Sequence, residues 1–192
     1  PVRCAVQLKP GQPAFAQFDS PRLAAQVGAG PDPSLAAQAL GLDPTDIGFG
    51  RHQPAIWSAG APFVMVPVAS PEVLAKIVPG PALVEAVGAA VGVLAFAPLP
   101  AAHPHAFRAR RFAPGAGVPE DPATGSAAAA LAGPLARFEG LSAGRHALPI
   151  EQGVEMGRPS LIALEIEVEG GKLTHCRIGG QAVGVMTGQL AL

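Results

Sequence analysis

EDPATGSAAAAL, residues 120–131, joins an acidic segment to the start of an alanine-rich helix. Pro122 disfavours helix at Asp121, Thr124 and Gly125 supply a turn, and helix can begin at Gly125 or Ser126. A helix start leaves four N–H groups unpaired and carries a positive partial charge. The first turn, 127–130, is all alanine and holds no acid to neutralise that charge. Small side chains let an external carboxylate approach the N–H groups of Gly125, Ser126 and Ala127, and the Ser126 hydroxyl can add a hydrogen bond. Asp121, a few residues upstream, can accept a hydrogen bond from a substrate or carry a proton. Glu120 faces the opposite way in an extended segment, so the two acids do not make a dyad. A plainer reading leaves Asp121 or Thr124 as a helix cap and Gly125 as a packing residue. The run 127–132, with almost no polar atoms, suits a helix buried on every side, such as one enclosed by a curved sheet.

Outward from this junction, the helix is expected over 125–138, and Pro134 should kink or break it near Gly133. HALPIEQG (146–153) reads as a strand, and SLIALEIEVEGGKLTHCRI (160–178) as a hairpin turning at Gly170-Gly171. AVGVMTGQLAL (182–192) reads as a terminal strand. Upstream, VGVLAFAPL (91–99) is a central strand. AFRARRF (106–112) alternates its side chains, so its arginines mark an exposed edge or an ion-pair network. PAIWSAG (54–60) and PFVMVPVAS (62–70) are apolar strands buried on both faces, with Trp57 in the core. Short helices are signalled after Asp32-Pro33, after Ser70-Pro71 to about Val78, and from Pro81 through LVEAVGAAV. Residues 1–32 read as connector or remnant, although VRCAVQL has strand character. Strands with a few helices, in no regular alternation, define an α+β fold.

Composition removes several function classes. At 192 residues the chain can bury a sizeable core; 49% apolar and 14% charged residues exclude a disordered chain and imply a bland or partly covered surface. Thirteen basic against fourteen acidic residues give a net charge of −1, without a basic run to neutralise phosphates, so no nucleic-acid partner is expected. Pro81, Glu85, Gly88, Gly92 and Pro98 interrupt the most apolar stretch, so no membrane span is expected. Cys4 and Cys176 are few and far apart, which fits a reduced, cytoplasmic protein better than a disulfide scaffold. The opening PVRCAVQLKP, with no initiator Met and no signal-peptide pattern, reads either as the middle of a protein or as a trimmed terminus of a complete domain.

Other chemistry is poorly supported. Ser126 is not a nucleophile elbow, because Thr124 and Ala128 stand where glycines belong. His103 and His105 have ligand spacing but no carboxylate or cysteine near them in sequence, so no metal is expected. His52, His146 and His175 are isolated, and neither cysteine opens a helix, so a two-cysteine racemase is not indicated. No phosphate-binding or dinucleotide fingerprint occurs, and no cofactor is expected. Arg158 should pair with Glu151 or Glu155 to fix a turn.

EDPATGSA, SAGAPFVMVPV (58–68), EQGVEMGRPS (151–160) and IGGQAVGVMTGQL (178–190) resemble, in order, segments of the phenazine-biosynthesis-like isomerase family. The resemblance implies a diaminopimelate-epimerase-like fold: two similar halves, each a curved, mostly antiparallel sheet around a central helix, with the active site between them. It implies one complete half here plus a remnant of the other, divided as 1–14 (remnant and connector), 15–178 (second domain) and 179–192 (terminal strand returning to the first half). It makes Asp121 and Ser126 the catalytic residues, with proton handling at Asp121 and anion binding at Ser126, and extends substrate binding to Thr124, Gly125, Ala127 and the Gly60 loop. The implied chemistry is cofactor-free proton transfer on a small carboxylate by a homodimer. The family's principal glutamate lies in a first half that no segment here matches, so the chain alone should be inactive. Ala128 and Ala129 replace His and Cys found in several members, which leaves the substrate open. The alternative is a non-catalytic module of the same fold that binds a small anion.

Overall fold

The computed structural model of the chain describes residues 2–183 and 186–190. Strands β1 (Cys4–Gln7), β2 (Ala14–Asp19) and β3 (Ala25–Ala29) precede helix α1 (Pro33–Leu40). Next come β4 (Ala55–Ser58), β5 (Pro62–Pro67) and the short helices α2 (Pro71–Ala75) and α3 (Leu83–Val87). β6 (Val93–Pro98), β7 (Phe107–Ala113) and β8 (Val118–Asp121) lead into α4 (Gly125–Phe138). β9 (Gly144–Ala147), β10 (Ile150–Gln152), β11 (Ser160–Glu169) and β12 (Lys172–Ala182) follow. The strands join in the order β1-β2-β12-β11-β10-β7-β6-β5-β4-β3, with β8 beside β7 and β9 beside β11. Among the described residues β5–β6 and β7–β10 pair in parallel and the other pairs are antiparallel. The fold is α+β, as the element order implied. No helix among the described residues is long and apolar enough to cross a membrane.

α4 packs against β11 and β12 on one side and β3, β4 and β5 on the other, so the sheet curves around it. Residues 127–136 are buried without interruption, the all-round burial that the alanine run predicts. A helix contacted from several directions needs thin side chains, because each larger one moves a neighbouring layer outward. Gly133 marks the closest approach: a Cβ there would lie 2.5 Å from Trp57 Cε3 and 2.9 Å from Ala24 Cβ.

The expected break at Pro134 does not occur, since α4 continues to Phe138 and the Glu139 N–H donates to the Leu135 carbonyl at 3.1 Å. A proline inside a helix costs about 3 kcal/mol. The apolar burial on all sides of α4 outweighs that cost.

A second core lies on the opposite face of β5, β6 and β7, where α1, α2 and α3 cover Val64, Val66, Ala95 and Phe112. Phe63, Met65, Leu94 and Phe96, the alternate residues, face α4. β5 is therefore buried on both faces, as its sequence indicates. α1 starts and stops on its expected signals: Asp32 accepts the Leu35 N–H at 2.9 Å, and Gly41 is left-handed at φ 67°. α2 is shorter than expected, ending at Ala75, and the buried Arg110 donates to the Leu74 and Ile77 carbonyls around that end at 3.2 and 2.9 Å. α3 ends early at Gly88, whose φ of 52° turns the chain.

Residues 1–32 are not a connector. β2 pairs with both β1 and β12, and β3 pairs with β4. β12, one of the two partners of β2, and β4, the partner of β3, come from distant sequence, so local periodicity understates both strands. Asp19 anchors β2, accepting from His175 and Arg177 at 2.9 Å each, and these bonds hold its carboxyl below the usual range. A boundary between residues 14 and 15 falls inside β2. The terminal run 182–192 differs from its reading as a strand: β12 ends at Ala182, and 183 and 186–190 carry no strand. Gly184, Val185, Ala191 and Leu192 lie outside the described residues.

The Trp57 contact sets helix propensity against packing. Propensity alone would make Gly133→Ala stabilising by about 1 kcal/mol. Overpacking against a fixed indole costs about 1–3 kcal/mol. We expect net destabilisation, read as a lower urea midpoint, and recovery when Trp57→Leu is added.

Candidate active site

Asp121 is the last residue of β8 rather than part of a loop, and it stands directly across from Arg111 of β7. Arg111 Nη1 lies 3.9 Å from Asp121 Oδ2. One residue back, on the other face, Glu120 accepts two hydrogen bonds from Arg110 at 2.9 and 2.8 Å. The expected separation of the two acids is thus built by strand alternation, and each has its own arginine. The arginines of AFRARRF form an ion-pair network in the middle of the sheet, not an exposed edge.

Pro122 ends β8, and Thr124 takes the N-cap position of α4 without capping it through its side chain. Its hydroxyl donates instead to Asp121 Oδ2 at 2.6 Å. The Ala128 N–H bonds to the Thr124 carbonyl at 3.0 Å. The N–H groups of Gly125, Ser126 and Ala127 have no acceptor among the described residues. A helix start with no side-chain cap and no acid in its first turn retains its attraction for an anion. Gly125 is half-buried, Ser126 exposed and Ala127 fully buried.

A cleft of about 630 Å³ opens beside this helix start, lined by Ala123, Gly125, Phe15, Ser160, Ile178 and Gln181. Of the sequence-predicted residues Gly125 lines it, while Asp121, Thr124, Ser126 and Ala127 surround the same turn without lining the cleft. Gly60 is not brought to the cleft; it is exposed, and its N–H donates to Ser58 Oγ at 3.1 Å. β4 follows α4 from the C-terminal end, where His52 meets Glu139 at 2.7 Å, past Trp57 at Gly133. The 58–61 turn therefore lies toward the N-terminal half of α4.

Two residues near Asp121 escaped the sequence reading. Arg111 was part of a cluster with no assigned site role. Gln152, 1% exposed, bonds to both Asp121 and Thr124. The signal for Gln152 was its spacing from Ile150: two residues apart on one strand they share a face, and a polar side chain on an apolar face needs buried partners.

The structure brings Glu151 to His103 and His105, although the sequence places no carboxylate near them. His105 Nδ1 lies 2.6 Å from Glu151 Oε1 and His103 Nε2 3.7 Å from it. The three could hold a metal by residue type, but their hydrogen bonds oppose it. His103 Nδ1 accepts the His105 N–H at 3.1 Å, so in the neutral ring the proton sits on Nε2, the atom facing Glu151. Arg108 fills Glu151 Oε2 with bonds of 3.0 and 2.8 Å. The cluster is a carboxylate surrounded by donors, tying the 101–106 segment to β10. Arg108 also stands 3.9 Å from Glu155, so it takes the partners expected for Arg158, which is exposed. Both cysteines are free, and burial pushes the Cys176 thiol up to about 12, far from a reactive thiolate.

A curved sheet around a buried helix with an uncapped N-terminus defines the scaffold as α+β. The chain belongs to the family described as phenazine biosynthesis-like protein, whose sequence profile matches residues 6–188. It is 45% identical over 196 residues to an uncharacterized isomerase of Mesorhizobium japonicum, covering 99% of this chain and 65% of that protein. It is 43% identical over 86 residues to trans-2,3-dihydro-3-hydroxyanthranilate isomerase of Pseudomonas chlororaphis, covering 45% of this chain and 31% of that one. A Bacillus anthracis phenazine biosynthesis protein of the PhzF family superposes with a TM-score of 0.77 at 22% identity, covering 94% of this chain and 62% of the other. A predicted epimerase of Pseudomonas aeruginosa superposes at 0.68 with 28% identity, covering 94% and 59%. The chain thus spans less than two-thirds of each of these relatives.

Partial burial pushes the Glu151 carboxyl up, but hydrogen bonds from His105 and Arg108 outweigh it and hold the group below its ordinary 4.5. A carboxyl lowered in the fold adds stability above its unfolded value, and this is lost as pH falls through the folded value. Glu151→Gln should therefore be less stable than wild type at pH 7, with the difference shrinking as pH drops below 4.5. Urea midpoints across that range check it.

Proposed function

We propose that this chain carries one half of the active site of an isomerase or epimerase that moves a proton on a small carboxylate-bearing metabolite without a cofactor. One observation carries the reading. Thr124 turns its hydroxyl to Asp121 instead of capping α4, so a carboxylate and an uncapped helix start stand side by side. The free N–H groups of the first turn would hold the substrate carboxylate, with Ser126 adding its hydroxyl. Asp121, beside the Arg111 guanidinium, would take and return the proton.

The names of the relatives support the reaction class, and the trans-2,3-dihydro-3-hydroxyanthranilate isomerase suggests a first substrate to try. Ala128 and Ala129, both buried, stand where the resemblance places His and Cys, so other small amino and hydroxy acids belong in the trial. In this proposal a second proton carrier, a glutamate by the resemblance, comes from sequence that the relatives have beyond the matched region. The assembly would be a homodimer, and 15–178 would act as the second of two domains.

Incubation in deuterated water with trans-2,3-dihydro-3-hydroxyanthranilate and a panel of small amino and hydroxy acids tests the reading. The protein expressed from its intact gene should place deuterium on a substrate carbon. Asp121→Asn should lower that rate by about 10²–10⁴-fold, the usual range for losing a general acid–base group. Binding without exchange would instead identify an anion-binding module.

A further inference from the structure

Ile150 and Gln152 share the face of β10 that enters the α4 core, and both are 1% exposed. A carboxamide at that depth needs its polar atoms paired, and Gln152 has three bonds. Nε2 donates to the Asp121 carbonyl at 2.6 Å and to Thr124 Oγ1 at 3.1 Å, and Oε1 accepts the Thr124 N–H at 3.2 Å. The orientation of the amide is determined by the main chain. A backbone N–H requires the oxygen and a backbone carbonyl requires the nitrogen, so an exchanged amide would oppose both. Gly153 completes the socket: at φ 79°, a Cβ there would collide with the Arg158 and Pro122 carbonyls, so glycine lets the 122–124 turn close against β10.

That orientation fixes a proton. The Thr124 hydroxyl has one hydrogen, and because Oγ1 accepts from Gln152, that hydrogen is left for Asp121 Oδ2, 2.6 Å away. Oδ2 is thereby occupied as an acceptor. Oδ1 has no partner among the described residues and is not buried.

We propose that Gln152 is a positioning residue: by donating to Thr124 it fixes that hydroxyl as a donor to Asp121 Oδ2 and leaves Oδ1 as the oxygen that exchanges a proton with substrate. This rests on the proton-transfer reading above. In the step, the substrate C–H bond breaks with its electron pair staying on the substrate, an O–H bond forms at Oδ1, and the return step reverses both. Without Gln152 the hydroxyl is free to rotate, Oδ2 loses its fixed donor, and the two oxygens compete for the proton.

The test combines kinetics with an activity-independent signal, using the protein expressed from its intact gene. With trans-2,3-dihydro-3-hydroxyanthranilate as probe, Gln152→Met and Thr124→Val should each lower kcat by about 10–100-fold with KM within about 3-fold. The double variant should be no slower than Thr124→Val alone, because both changes act through one hydroxyl. Thr124→Ser, which keeps the hydroxyl, should recover most of the kcat lost in Thr124→Val. Losses that multiply in the double variant, or an unchanged kcat in Gln152→Met, would overturn the proposal. By NMR the wild type should show a slowly exchanging Thr124 hydroxyl proton, lost in Gln152→Met, and Gln152 amide signals that move in Thr124→Val. A hydroxyl signal that persists without Gln152 also overturns it. If the wild type exchanges no substrate proton, the functional reading fails and the NMR result alone decides the role of Gln152. Gln152→Leu, which likewise removes both donors, replaces the Met variant if that one does not fold.

Discussion

A helix with sheet on several sides cannot have a solvent face, and most of this structure follows from that constraint. The side chains must be thin, which the run from Ala127 to Ala132 supplies, and one position must be bare where the Trp57 indole crosses at Gly133. The two ends of α4 are treated differently. At the C-terminal end Arg51 donates to the Phe138 carbonyl at 2.9 Å and His52 meets Glu139, so that end is closed by side chains. At the N-terminal end Thr124 declines the capping role and the first donors stay free. Burial from Ala127 to Ala136 leaves the N-terminal end, where Ser126 is exposed, as the uncapped end of α4.

The surroundings of that end are rigid for identifiable reasons. Asp121 is held by strand pairing to Arg111, by the Thr124 hydroxyl and, through its carbonyl, by Gln152. These restraints come from β7, the turn before α4, and β10, which are far apart in sequence but adjacent in the sheet. The backbone of Asp121 is thus fixed by β7 and β10 and one carboxylate oxygen by Thr124, so the residue has little freedom to move.

Much of this was legible in the sequence where the signal is local. Caps and stops placed α1, the Gly170-Gly171 turn placed the β11–β12 hairpin, and the alanine run announced an enclosed helix. Contributions from distant residues were not legible. β2 has little pattern of its own because β12, its partner, begins over 150 residues later, and its anchor is the ionic group Asp19–His175–Arg177. Pro134 leaves α4 unbroken because burial that no local window contains outweighs the local rule for proline. Asp121, Thr124 and Gly125 were found by their order along the chain, whereas Arg111 and Gln152 join them through strand register, which a single sequence does not display.

The adjacent pairs Arg110–Glu120 and Arg111–Asp121 have a further consequence. Successive residues on two neighbouring strands serve opposite faces, so one pair ties α2 to the sheet while the other stands at the helix mouth. The division makes the two pairs separable under selection: drift in the outer pair alters how the helical layer is fastened without changing the charge beside α4. It also makes the short connection at 114–117 intolerant of length change. An insertion or deletion of one residue there would exchange the faces of β8, turning Glu120 toward the helix mouth and Asp121 into the opposite layer. The spacing between β7 and β8 is therefore a heritable safeguard that decides which of two neighbouring acids stands beside the start of α4.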